Sequence, residues 1–160
     1  MKRIILLLLL SLSILVFSSC KQEKYSASLT SKELADELME QISGSGDYIE
    51  YTDEELSYFD FTKDSDADIT LLYSQAAEDV GEIGVVRVFD GKSKEMKLAL
   101  EEYLKDQQKE KGAFFKNYAP GELLKLERAE VRCFGDYVVF TVLSSEESQA
   151  VFEKAEEVLK

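Results

Sequence analysis

"AEVRCFGDYVVFTVLS", residues 129–144, decides how this chain folds. After a Gly135-Asp136 step, Tyr137, Val139 and Thr141 alternate with Val138, Phe140 and Val142, which is the pattern of two strands joined by a tight turn. In the first of these strands Val131 and Cys133 share one side and Arg132 takes the other. Upstream, "IGVVRVF" (83–89) is apolar at nearly every position, as a central strand requires. The branched and aromatic run Ile69–Ser74 makes it an antiparallel partner across the polar "QAAEDVGE".

Helices frame these strands. Thr30–Glu33, Thr52–Glu55 and Ser144–Glu147 each fit a capping box. The first opens a helix with Leu34, Leu38 and Ile42 on one face, ended by Gly44 and Gly46; the last opens a helix striped by Val151, Ala155, Val158 and Leu159. Asp90-Gly91 turns the chain into a long helix from about Lys92 to Gly112 or Phe115, with Met96, Leu100, Tyr103, Leu104 and Gln107 on one face. Pro120 suits the first position of a further short helix in "NYAPGELLKLE". The main order is α-α-β-β-α-β-β-α, an α+β domain over residues 30–160. Its simplest form is an antiparallel sheet of about four strands with helices packed on one face.

The amino end has another character. Lys2 and Arg3 precede the apolar run Ile4–Phe17, which as a helix reaches about 21 Å. A spanning helix must cross roughly 30 Å, so residues 1–19 read as a secretory signal peptide. Its end, "VFSSC", resembles the lipobox of bacterial lipoproteins, although these residues also fit a plain signal peptide cut after Ser19. The lipobox resemblance implies that the Cys20 thiol takes up a diacylglyceryl group and that cleavage follows in front of it. Residues 20–29 then form a lipidated cysteine and a polar tether. The expected location is the outer face of the cell membrane, with the membrane as partner through the lipid on Cys20.

Composition narrows the function. The 160 residues include 19 Lys+Arg against 32 Asp+Glu, and without the leader the balance is −15. Such acidity repels nucleic acid and anionic lipid headgroups. The chain has no histidine and only two cysteines, so Ser-His-Asp and Cys-His relays and His/Cys zinc sites are absent. With Cys20 acylated, Cys133 is left unpaired and reads as a buried, inert thiol. Neither a P-loop nor a GxGxxG fingerprint occurs. No cofactor, metal or catalytic residue is expected.

Two stretches invite a binding role. "DYIEYTDEELSYFDF" (47–61) sets Tyr48, Tyr51 and Tyr58 among carboxylates, and such rings either recognise ligands or supply apolar packing area. In "KDSDADITLLYS" (63–74), Asp64, Asp66 and Asp68 alternate like the start of a calcium loop. The loop's sixth and twelfth positions hold Ile69 and Gln75 instead of glycine and glutamate, so a turn leading into a strand is the better reading.

"AEDVGEIGVVRVFD", the long helix after it, "YAPGELLKLERAEV" and "GDYVVFTVLS" together resemble a domain-of-unknown-function family. Its members are small lipoproteins and secreted proteins, chiefly of Gram-positive, clostridia-like bacteria. The resemblance runs from about Leu29 to Leu159 and implies a fold and a location, with no activity to carry over. The leading expectation is a membrane-anchored, non-catalytic binding or accessory module for another envelope protein. The second is capture of a cation or small molecule by the aromatic–acidic stretch. A carboxylate-based hydrolase comes last.

Overall fold

The computed structural model describes residues 25–62, 66–89 and 91–160. The elements follow in the order α1 (Ser31–Met39), β1 (Tyr48–Glu50), α2 (Asp53–Leu56), β2 (Ala67–Ser74), β3 (Glu82–Val88), α3 (Ser93–Tyr118), α4 (Pro120–Glu127), β4 (Glu130–Phe134), β5 (Tyr137–Val142) and α5 (Ser145–Leu159). Short 3-10 turns occupy Ser45–Asp47 and Asp60–Thr62. All three capping boxes form: the hydroxyls of Thr30, Thr52 and Ser144 accept from the N–H groups of Glu33, Glu55 and Glu147. At the β4–β5 turn Gly135 has φ +63°, a left-handed conformation that glycine adopts without steric cost.

The class is α+β with one antiparallel sheet, ordered β1-β2-β3-β5-β4. Its five strands exceed the expected four because Tyr48–Glu50 adds an edge strand, pairing Ile49 with Tyr73. Three residues are too few for alternation to declare itself. The helices also cover both faces of the sheet, where one was expected. Leu34, Leu38, Val151, Phe152 and Leu159 of α1 and α5 pack on Ile83, Val85 and Val139; Met96, Leu100, Leu104 and Leu126 of α3 and α4 pack on Leu71, Val86, Val138 and Phe140. The physical reason lies in β3 and β5, which are apolar on both sides, so each side needs its own cover. Helix α3 continues to Tyr118, past the expected stop.

The expected tether is docked over its second half. Ser26 and Ala27 donate backbone N–H bonds to the Leu159 carbonyl at 2.9 and 3.4 Å. The Tyr137 hydroxyl donates to Leu29 O at 2.6 Å, and Arg87 Nη1 donates to the same oxygen at 3.0 Å. Tyr25 meets Phe134 edge to face, with ring centroids 5.8 Å apart. It lies so near Gly135 that a Cβ there would stand 3.1 Å from the Tyr25 Cβ.

Candidate functional site

The face of the sheet under α3 carries one polar group out of place. Glu82 opens β3 and is 4 % exposed, its side chain turned to the same face as Val86 and Val88. The Tyr103 hydroxyl, from the middle of α3, donates to Glu82 Oε1 at 2.8 Å with Oε2 at 3.0 Å. Desolvation lifts the Glu82 carboxyl to about 7, against the pull of that phenol and of the Lys111 ammonium. Burial also pushes the hydroxyls of Tyr103 and Tyr51 above the ordinary phenol range, and the nearby Glu82 carboxylate adds to the effect.

Aromatic rings wall this acid off from one side. Tyr51 lies 4.4 Å from Tyr73 and 5.3 Å from Phe59, centroid to centroid. Phe59 and Phe61 stack at 5.4 Å with planes 15° apart, and Tyr103 meets each of them at 5.3 Å. The short turn Asp60–Thr62 holds Phe59 and Phe61 there; the Thr62 hydroxyl donates to the Leu56 and Phe59 carbonyls, both at 2.8 Å.

Outside the rings lies a cleft of about 500 Å³ between α3 and the Tyr58–Phe61 segment. Its aromatic wall is Tyr58, Phe59, Phe61 and Tyr103; its acids are Asp60, Glu102, Asp106 and Glu110, and among the described residues no lysine or arginine lines it. Gln107 completes the wall. Its Oε1 atom is sealed from solvent and accepts no hydrogen bond among the described residues. An amide carbonyl in that state costs about 1–3 kcal/mol unless a donor reaches it.

The sequence-predicted residues scatter. Tyr58 is 73 % exposed at the cleft mouth, and Tyr51 stands behind the ring wall. Tyr48 belongs to the opposite face, with its hydroxyl over Gly81. Asp68 accepts from the Ser31 N–H and Oγ, both at 2.7 Å, so it anchors the start of α1. The Asp66 carbonyl accepts from the Phe89 N–H at 3.3 Å, a strand-end contact. Asp64 and Cys20 lie outside the described residues. Among the described residues no group of three acids or cysteines could hold a metal ion, and no helix is long and apolar enough to cross a membrane.

Two features of the site were missed from sequence. Glu82 carried a signal, an acid opening an otherwise apolar strand. The cleft itself carried none, because it forms from segments some 40 residues apart. Gln107 had been placed on the apolar face of the long helix, where a polar side chain needs a partner.

No curated protein matches the chain, and no solved structure matches it. The model of a domain of unknown function, DUF4358, matches residues 41–143, from the end of α1 through β5 and so through every strand and the whole cleft. That span is well over half of the 160 residues, and the chain belongs to the DUF4358 family.

Proposed function

We propose that this protein is a lipid-anchored, extracytoplasmic binding module that holds a small ligand in the cleft between α3 and Tyr58–Phe61. The observation that carries the reading is the cleft itself, a concave hollow of about 500 Å³ walled by Tyr58, Phe59, Phe61 and Tyr103, of the size and lining that take a small ligand. The module is non-catalytic on this reading. Glu82 is the one acid there with a strongly raised carboxyl, and it is covered by Tyr103 and closed to a substrate.

Anchoring rests on the leader and on Cys20. The docking of Tyr25–Leu29 leaves four residues, 21–24, between Cys20 and the folded domain, a reach of roughly 15 Å when extended. A lipid there would hold the domain against the outer surface of the membrane. Two measurements test the proposal. A fatty-acid analogue should label the wild type and leave Cys20→Ala unlabelled, and equal labelling of both would remove the anchor. Thermal stabilisation by a small molecule should be lost in Tyr58→Ala, which strips an exposed ring from the cleft mouth, and stabilisation that survives the change would remove the cleft.

A second reading, an accessory module for another envelope protein, is favoured by Phe114 and Tyr118. These are 53 % and 77 % exposed, with ring centroids 5.0 Å apart on α3.

A further inference from the structure

The sheet ends in two unlike edges. On one side β1 offers three residues, and on the other β4 offers five, Glu130–Phe134. The Val88 N–H donates to the Asp136 carbonyl at 2.9 Å, so the even-numbered positions from Asp136 to Val142 turn their backbone groups towards β3. The odd-numbered Tyr137, Val139 and Thr141 therefore bond to their opposites in β4, which are Phe134, Arg132 and Glu130. Val131 and Cys133 are left pointing N–H and C=O out of the sheet, and among the described residues no hydrogen bond reaches them there. On the α3 side a hollow of about 480 Å³ runs along Ala129, Glu130 and Val131, so no described residue covers that stretch of the edge from this side. The strand also carries neither proline nor lysine, the residues that commonly guard an edge against a further strand.

Two charges on the strand decide what pairs with it. Glu130 and Arg132 share the α5 face, where Arg132 Nε lies 2.6 Å from Glu130 Oε1 and the guanidinium covers the Phe152 ring at 4.2 Å. Two identical strands paired antiparallel are related by a two-fold axis, so each register is set by the residue at its centre. A centre at Glu130 or Arg132 puts that residue against its own copy, like charge on like charge. A centre at Cys133 puts Glu130 against Asp136. A centre at Val131 puts Glu130 against Arg132 twice over, at the non-hydrogen-bonded positions where side chains come closest. A strand of another protein would have to bring this alternation with it, whereas a second copy of the chain already holds it. We infer that β4 pairs antiparallel with β4 of a second copy, centred on Val131, and joins the two sheets into one. The Val131 N–H then donates to the Val131 carbonyl of the second copy, and the Cys133 N–H to its Ala129 carbonyl. The strand shares no residue with the cleft, so neither proposal depends on the other.

The test is sedimentation of the full-length protein in detergent, paired with amide hydrogen exchange. At about 100 μM, a concentration that reveals micromolar association, the wild type should sediment as a dimer. The dimer Kd should rise at least about tenfold in Glu130→Arg and in Arg132→Glu, each of which sets like charges opposite one another. Glu130→Arg is the cleaner of the two, because it leaves Arg132 on the Phe152 ring. Exchanging both, Glu130→Arg/Arg132→Glu, should restore the affinity, and the two single variants should associate with each other better than either does with itself. Amide exchange at Val131 and Cys133 should slow as the dimer forms. A wild type that stays monomeric at that concentration would overturn the inference. So would a dimer that Glu130→Arg leaves unchanged, or a folded double variant as weak as the singles. Val131 and Cys133 amides already protected in the monomer would overturn it as well, since residues of the same chain would then cover the edge.

Discussion

The Tyr103 hydroxyl holds both oxygens of the Glu82 carboxylate, at 2.8 and 3.0 Å, in the layer between α3 and the sheet. One phenol is too little solvation for a carboxylate that is 4 % exposed, and Glu82 rises from 4.5 to about 7. An acid whose folded value is raised stabilises the fold fully below its unfolded value and loses that contribution as pH climbs through the folded one. The window is therefore pH 4.5 to 7, and the loss across it is about 3 kcal/mol. With no histidine in the chain, the side chain that ordinarily titrates there is missing. Urea unfolding should show stability falling from pH 5 to 8 in the wild type and nearly flat in Glu82→Gln. A wild-type profile with no slope in that window would contradict the buried acid.

Gly84 makes a second relationship testable. It faces Phe140 across the β3–β5 pair, and a Cβ at Gly84 would overlap Phe140 Cε1 and stand 2.5 Å from Leu71 Cδ2. Both neighbours are fully buried, so neither can swing into solvent. Gly84→Ala should cost about 1–3 kcal/mol by overpacking. Phe140→Leu alone should also destabilise. Together the two changes should cost less than their sum, because the smaller side chain frees the space that the methyl takes. Strict additivity in chemical denaturation would mean that the ring does not sit on the glycine.

The features legible in the sequence were those fixed by near neighbours. A capping box needs four consecutive residues, and Thr30, Thr52 and Ser144 each announce one. The Gly135-Asp136 turn likewise follows from its own backbone demand. Edge strand β1 exists only through pairing with β2, and the docked Ser26 bonds to Leu159 from the other end of the chain, so neither leaves a local trace. The two-sided cover was legible in part: a strand apolar at nearly every position, such as Ile83–Phe89, has to be buried on both faces. Tyr48 and Tyr51 were grouped by proximity in sequence, yet an odd spacing along extended chain sends them to opposite sides of the sheet.

A polar cluster just ahead of β3 governs the acid limit. Lys125 Nζ lies 2.8 Å from Asp79 Oδ1 and 2.8 Å from Glu122 Oε2. Desolvation pushes Asp79 up, but the Lys125 ammonium and the Gly81 N–H outweigh it and hold the carboxyl at about 2. For a lowered acid the stabilisation is present above the unfolded value, 3.8, and is lost as pH falls through the folded one. Lys125→Met should cost about 1 kcal/mol at pH 7 by leaving Asp79 and Glu122 together without their cation. The gap to wild type should close as pH drops from about 4 towards 2. Denaturation midpoints over that range check it, and a gap unchanged at pH 2 would place the effect in lost packing instead.

Cys133 gives the last prediction and ties the fold to the proposed anchor. Its Sγ donates to the Ser93 carbonyl at 3.6 Å, and burial pushes the thiol above its ordinary range. The thiolate is the reactive form, so alkylation at pH 8 should be several-fold slower in the native protein than in a short peptide. Arg132, the adjacent cation, cannot reverse this, since it lies over the Phe152 ring on the other face of the sheet. After denaturation the same reagent should count one thiol in protein isolated from membranes and two in the uncleaved, unacylated chain, because Cys20 and Cys133 are the only cysteines. Two reactive thiols in the membrane-isolated protein would leave the anchor without its sulfur linkage, whatever the speed of Cys133.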